Sequence, residues 1–135
     1  MVTVTTNRQA GVAILGSTGS VGRQTLDVII EHPEDFRVIA LAARRDTPLL
    51  RDQITRHCPE LVALQQPPGA DFPQGPAVIV GEDGLRAAAT AGGASIVVVA
   101  TSGHDAILPT IAAVRAGKTI ALANKETLVC AGEII

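Results

Sequence analysis

"ILGSTGSVGRQTLDVI", residues Ile14–Ile29, decides how the chain is read. An apolar run ends at Leu15, glycines stand at positions 16, 19 and 22, and an amphipathic pattern begins directly after them. A plain turn needs one glycine or two. Three at this spacing predict that something comes close to the backbone. Val12–Leu15 reads as a short buried strand. Val21–Glu31 reads as a helix capped by Ser20, with Val21, Thr25, Val28 and Ile29 recurring at helical spacing. His32-Pro33 ends it, because proline disfavours the helical conformation in the residue before it.

The same alternation continues outward. "FRVIALAA" (Phe36–Ala43) predicts the second strand, and "RRDTPLLRDQITRHC" a helix with Asp46 or Thr47 as cap and Pro48 at its first position. Glu60–Leu64 predicts a third strand, and Gln65–Pro76, rich in proline and glycine, a loop. "AVIVGEDGLRAAATAGG" follows as strand, turn and Ala-rich helix, and Ser95–Gly103 as the most apolar strand. His104–Gly117 is a helix with an internal Pro109 and Gly117 as its C-cap; a last strand, a polar turn and the start of another helix follow. Strand runs alternating with helical patterns predict an α/β domain: a Rossmann-like, doubly wound, mostly parallel sheet with helices on both faces. Residues 1–11 read as a polar tail and residues 12–135 as the domain. The chain stops at Ile135 inside an apolar helical pattern, which suggests a truncated or partial polypeptide.

Composition narrows the function. The chain has 135 residues, enough for one core, and 47% of them are apolar, while Phe36 and Phe72 are the only aromatics. That scarcity argues against a stacking surface for single-stranded nucleic acid, and a net charge of −2 gives no pull toward nucleic acid or an anionic membrane. Cys58 and Cys130 stand far apart, with no disulfide or metal-ligand spacing, and read as small apolar residues. No apolar run reaches membrane-spanning length, and the start has no signal-peptide pattern, so a cytoplasmic location is expected.

Gly16-x-x-Gly19-x-x-Gly22 lies at a strand-to-helix handover, where a dinucleotide pyrophosphate can rest on a helix N-terminus. Ser17, Thr18 and Ser20 can add hydroxyl donors. No Lys-Ser/Thr follows the last glycine, so this is no Walker loop. Arg44 and Arg45 follow the second strand and suit a ribose 2′-phosphate, which favours NADP. Asp46 is read as a cap or as a carboxylate on the ribose that would weaken that preference. Ala100, Thr101 and Ser102, at a later strand end, are placed along the cofactor. His104 is the histidine nearest this site and reads first as a helix-start residue; His32 and His57 read as solvated. "LANKET" (Leu122–Thr127) is either a capped helix start or a polar cluster around a nicotinamide and a charged substrate.

Taken together, "ILGSTGSVGRQTLDVI", "FRVIALAARRD" and "ALANKETLV" resemble the 1-deoxy-D-xylulose 5-phosphate reductoisomerases over nearly the whole chain after the tail. The resemblance implies an NADPH-dependent oxidoreductase and isomerase of non-mevalonate isoprenoid synthesis. Its substrate would be 1-deoxy-D-xylulose 5-phosphate, its product 2-C-methyl-D-erythritol 4-phosphate, with Mg²⁺ or Mn²⁺ holding the substrate oxygens. It implies NADPH contacts at Gly16, Thr18, Gly19, Ser20, Val21 and Gly22, and a 2′-phosphate end at Arg44, Arg45 and Asp46. Asn124 and Glu126 would face NADPH and Lys125 the substrate. The family commonly has glycine where Arg44 stands and asparagine where Asp46 stands. The family's metal-binding acids lie beyond Ile135, so the chain alone is expected to bind NADPH without turnover. A homodimer is implied for the full-length form. Another NADP-dependent dehydrogenase, including the homoserine dehydrogenase-like type, and a non-catalytic nucleotide-binding module remain alternatives.

Overall fold

The computed structural model describes residues 9–101 and 104–123. Six strands and four helices follow one another along them, alternating except that a loop alone joins β3 to β4: β1 (Ala10–Leu15), α1 (Ser20–Glu31), β2 (Phe36–Ala43), α2 (Pro48–His57), β3 (Leu61–Leu64), β4 (Ala77–Val80), α3 (Asp83–Ala89), β5 (Ile96–Val99), α4 (Ile107–Arg115) and β6 (Thr119–Leu122). All strand pairs are parallel and the sheet order is β4-β3-β2-β1-β5-β6. The chain therefore runs outward on one side of β1, then returns to β1's other edge with β5. The gap between the ends of β1 and β5 is where such a sheet reverses its winding.

The two sheet faces carry different side chains. Val12, Ile14, Val38, Leu41, Val62 and Leu64 point to one face and bury against Leu26 and Ile29 of α1 and Leu50 and Ile54 of α2. Ala13, Leu15, Ala40, Ala42, Val97 and Val99 point to the other and pack on Ala88 and Ala89 of α3 and Ala113 of α4. Burial on both faces is why these strands read as unbroken apolar runs. Small residues on the second face let α3 and α4 sit close to the sheet.

Several local expectations change. β1 begins at Ala10, two residues before the expected strand, and Gly11 is buried there: a Cβ on it would meet Gly93 O at 1.9 Å. The N-cap of α1 is Gly19, not Ser20, and no side chain bonds the cap, so Ser20 is the first helical residue. The buried face of α1 is Gly22, Leu26 and Ile29; of the expected residues only Ile29 lies on it, and Val21 and Val28 are exposed at 38% and 51%. Glycine adds no hydropathy to a pattern, so a helix that packs through one looks shifted. Pro109 lies in the first turn of α4, where no intrahelical N–H bond is lost, and so does not kink it. Gly117, at φ +79°, follows the C-cap Ala116; its N–H bonds to Val114 O and that of Lys118 to Ala113 O, which completes a Schellman turn. Cys58 is exposed and left-handed at φ 48° where α2 ends, so it is a capping residue rather than core. His57 is half-buried rather than solvated; burial, then the Arg56 charge, lowers its pKa from 6.5. Cys130 lies outside the described residues. Among the described residues no helix is long and apolar enough to cross a membrane.

Candidate functional site

The glycine turn is fixed from three sides. Gly16 N–H and Ser17 N–H both donate to Ala42 O, at 2.8 and 3.1 Å, which ties the turn to the end of β2. Gln53, buried on α2, donates from Nε2 to Ser17 O at 2.9 Å. Ala100 N–H donates to Leu15 O at 2.8 Å and extends the β1–β5 pairing past the strand ends.

Each glycine has its own reason. Gly16 holds φ +90°, and a Cβ on it would lie 2.9 Å from Ala100 C and Thr101 N. A Cβ on Gly22 would lie 2.2 Å from Gly16 O and 2.7 Å from Ser17 Cα, so Gly22 lets α1 press onto the turn. Gly19 differs. Its φ is −78°, any residue's range, and a Cβ there would meet only Gly16 O at 3.7 Å. Nothing inside the protein requires glycine at position 19.

Gly19 does line a cavity of about 370 Å³ over the carboxyl ends of β1, β2, β3 and β5. Gly16 and Thr18 form its floor with Gly19. Ala42, Ala43, Arg44, Arg45 and Thr47 line it from the end of β2, and Ala100 and Thr101 from the end of β5. Ala63, Leu64, Gln65, Gly81, Leu85 and Asp105 complete the wall. The first-turn N–H groups of α1 have no intrahelical carbonyl and give this end of the helix a partial positive charge. Arg44 and Arg45 are exposed and add two guanidinium groups. The residues present suit a dianionic, elongated ligand: bare backbone at one place, cations at another, and small apolar walls between.

Of the residues the sequence singles out, Gly16, Thr18, Gly19, Arg44, Arg45, Ala100 and Thr101 come together in one hollow. Gly22 supports it from behind. Ser17 is fully buried and lines no part of the cavity, so it is not a hydroxyl donor to it. Ser20 and Val21 lie on the first turn of α1, outside the lining, and Ser20 faces a separate groove between α1 and α2. Asp46 is also outside the lining. It neither caps α2, a role taken by Thr47 Oγ1 accepting from Leu50 N–H at 3.2 Å, nor presents a free carboxylate. Arg51 binds it instead, at 2.8 and 2.6 Å, and Gly69 N–H donates to it at 2.9 Å. The Arg51 hydrogen bonds hold its carboxyl at about 2, against an ordinary 3.8. Ser102, Asn124, Lys125 and Glu126 lie outside the described residues. The sequence does not mark Gln53 or Asp105 as parts of the site. Neither sits in a motif, and only Asp105's place right after His104, near a strand end, could have flagged it.

An all-parallel sheet with helices on both faces, and a glycine-floored hollow where its winding reverses, defines an α/β domain of the Rossmann-like class. A family model of 1-deoxy-D-xylulose 5-phosphate reductoisomerase matches residues 12–132, and the chain belongs to that family. A 1-deoxy-D-xylulose 5-phosphate reductoisomerase of Thermomicrobium roseum is 55% identical over 126 residues, covering 93% of this chain and 32% of the relative. One of Synechococcus sp. is 48% identical over 132 residues, covering 92% and 33%. The chain thus spans about a third of the length of the curated relatives it matches. Among solved structures, the Zymomonas mobilis reductoisomerase in complex with NADPH superposes with a TM-score of 0.83 at 36% identity, over 94% of this chain and 35% of that one. A DOX-P reductoisomerase in complex with magnesium superposes with 0.82 at 32% identity, over 93% and 33%.

Proposed function

We propose that this chain is the NADPH-binding part of a 1-deoxy-D-xylulose 5-phosphate reductoisomerase. The observation that carries the reading is Gly19: glycine there serves no internal contact, yet it lines the hollow at the head of α1. A pyrophosphate against the first turn of α1 accounts for it, since a side chain would occupy the space the phosphates need. Arg44 and Arg45 would take the adenosine 2′-phosphate, with Gln65 and Leu64 beside the adenosine. Ala100 and Thr101 would flank the nicotinamide half. The relative solved with NADPH supports this reading. Bound NADPH supplies a hydride; the described residues contribute grip and orientation.

For the whole enzyme, conversion of 1-deoxy-D-xylulose 5-phosphate to 2-C-methyl-D-erythritol 4-phosphate, an isomerisation with reduction, is the proposed reaction. Lys125 would reach the substrate, and Asn124 and Glu126 the cofactor. Ser20 and Val21 would adjoin the phosphates through their backbone, and Asp46, held by Arg51, would not touch them. Among the described residues no group of three His, Cys, Asp or Glu side chains could hold a metal ion, and no metal role is assigned to them. Titrating NADPH into the chain while following nicotinamide fluorescence tests the reading. Gly19→Val is expected to keep the fold and to weaken NADPH binding by about a hundredfold, the size of one or two lost charge-assisted hydrogen bonds. Unchanged binding in Gly19→Val overturns it.

A further inference from the structure

We infer that Arg51 sets the cofactor preference of this site by withdrawing Asp46 from it, so that the segment after β2 meets a 2′-phosphate with cations alone. This rests on the reading of the cavity as an NADPH site. Arg44, Arg45 and Thr47 all line the hollow, while Asp46, in the middle of the same short segment, does not. A carboxylate directly after the second strand of such a sheet ordinarily accepts the ribose 2′-hydroxyl, and it repels a phosphate there. Here both of its oxygens are occupied. Arg51 Nε donates to Oδ1 at 2.8 Å, and Arg51 Nη2 and Gly69 N–H donate to Oδ2 at 2.6 and 2.9 Å. The Asp46 side chain is only 11% exposed.

Arg51 is itself held. Its Nη1 donates to Asp71 O at 3.1 Å, its Nη2 to Ala70 O at 3.0 Å, and its guanidinium lies 5.8 Å from the centre of the Phe72 ring. An arginine fixed on so many sides does not swing away and release the acid. Arg51 is absent from the cavity wall, so it acts through Asp46 and is a positioning residue. Gln65 and Gln66 N–H groups bond to Arg44 O at 3.1 and 3.3 Å. The start of the 65–76 loop is therefore tied to the cation segment without Arg51. Losing Arg51 frees the acid more than it moves that wall.

The test is titration of the 135-residue chain with NADPH and with NADH, each variant first checked for native circular dichroism. Arg51→Gln is expected to lower the NADPH-to-NADH affinity ratio about tenfold, or about 1.4 kcal/mol. Adding Asp46→Asn to it is expected to restore the ratio to within about twofold, because the uncovered charge is then gone. If Arg51→Gln does not fold, Arg51→Lys keeps the charge without the two-pronged grip and should lower the ratio about threefold. A wild-type chain that prefers NADPH, with variants that keep its ratio, overturns this inference and leaves the NADPH reading standing. A ratio lost in the single and the double variant alike makes loop placement the cause and also overturns it. A wild-type chain that binds neither nucleotide removes both.

Discussion

Gln53 donates from Nε2 to the carbonyl oxygen of Ser17 at 2.9 Å, across 36 residues of sequence, with both residues buried. One face of α2 thus grips the glycine turn as well as the sheet. Gln53→Leu leaves Ser17 O without this donor and is expected to cost about 1–3 kcal/mol in urea unfolding. Ser17→Ala should behave oppositely. Its buried Oγ has no hydrogen-bond partner among the described residues, so removing it is expected to shift stability by less than about 0.5 kcal/mol, or to raise it. NADPH affinity should be unchanged in Ser17→Ala, because that hydroxyl lines no part of the cavity.

Gly22 and Gly92 make a matched pair for substitution by alanine. A Cβ on Gly22 meets backbone atoms at 2.2, 2.7 and 2.8 Å, which cannot rotate out of the way. Gly22→Ala is expected to destabilise by about 3 kcal/mol or more and to shift α1 away from the turn. On Gly92 a Cβ meets nothing within 4 Å, and Gly92→Ala is expected to be neutral or to stabilise by about 0.5 kcal/mol. Thermal melts of the two variants side by side would decide the matter.

Arg44 and Arg45 are expected to act on NADPH alone. Arg44→Ala/Arg45→Ala should weaken NADPH by about 10- to 100-fold, the value of one charged hydrogen bond of 1.5–3 kcal/mol, and leave NADH within about twofold. Equal losses for both cofactors would place the arginines away from the 2′-phosphate.

The acid limb of the stability curve should carry the Asp46–Arg51 pair. Asp46 titrates at about 2 in the folded chain against 3.8 ordinarily, held down first by its Arg51 hydrogen bonds. A carboxyl whose folded pKa is lowered contributes stability that is complete above the unfolded value and disappears as pH falls through the folded one. The urea-midpoint gap between wild type and Asp46→Asn is therefore expected to be constant above about pH 5 and to close between about pH 4 and 2. A gap that stays level across that window would sever the link.

Local rules carried much of the fold. Phe36–Ala43 matches its expected strand end for end, because a doubly buried parallel strand is simply an apolar run. Pro48 and Thr47 start α2 as their chemistry requires. The glycine turn was legible for the same reason, although two of its three glycines, Gly16 and Gly22, answer to backbone contacts inside the protein. What stayed hidden depends on partners distant in sequence. The face of α1 turns on Gly22, whose contact is a backbone oxygen six residues earlier that exists only once the turn has closed. Asp46 looked like a cap or a ribose ligand because nothing local says that Arg51 and Gly69 will reach it. Gln53 is a polar residue within an apolar face, and its carbonyl partner is supplied by another element.

The position of β1 between β2 and β5 has a consequence for biogenesis. As the polypeptide leaves the ribosome, β1 can pair with Phe36–Ala43 early, but its second edge has no partner until Ile96–Val99 emerge. During that interval Val12–Leu15 presents an unpaired apolar border of the kind that recruits foreign strands. The β1–β5 pairing, which spans more sequence than any other in the sheet, shuts this border, and the hollow at the ends of those strands comes into being in the same step.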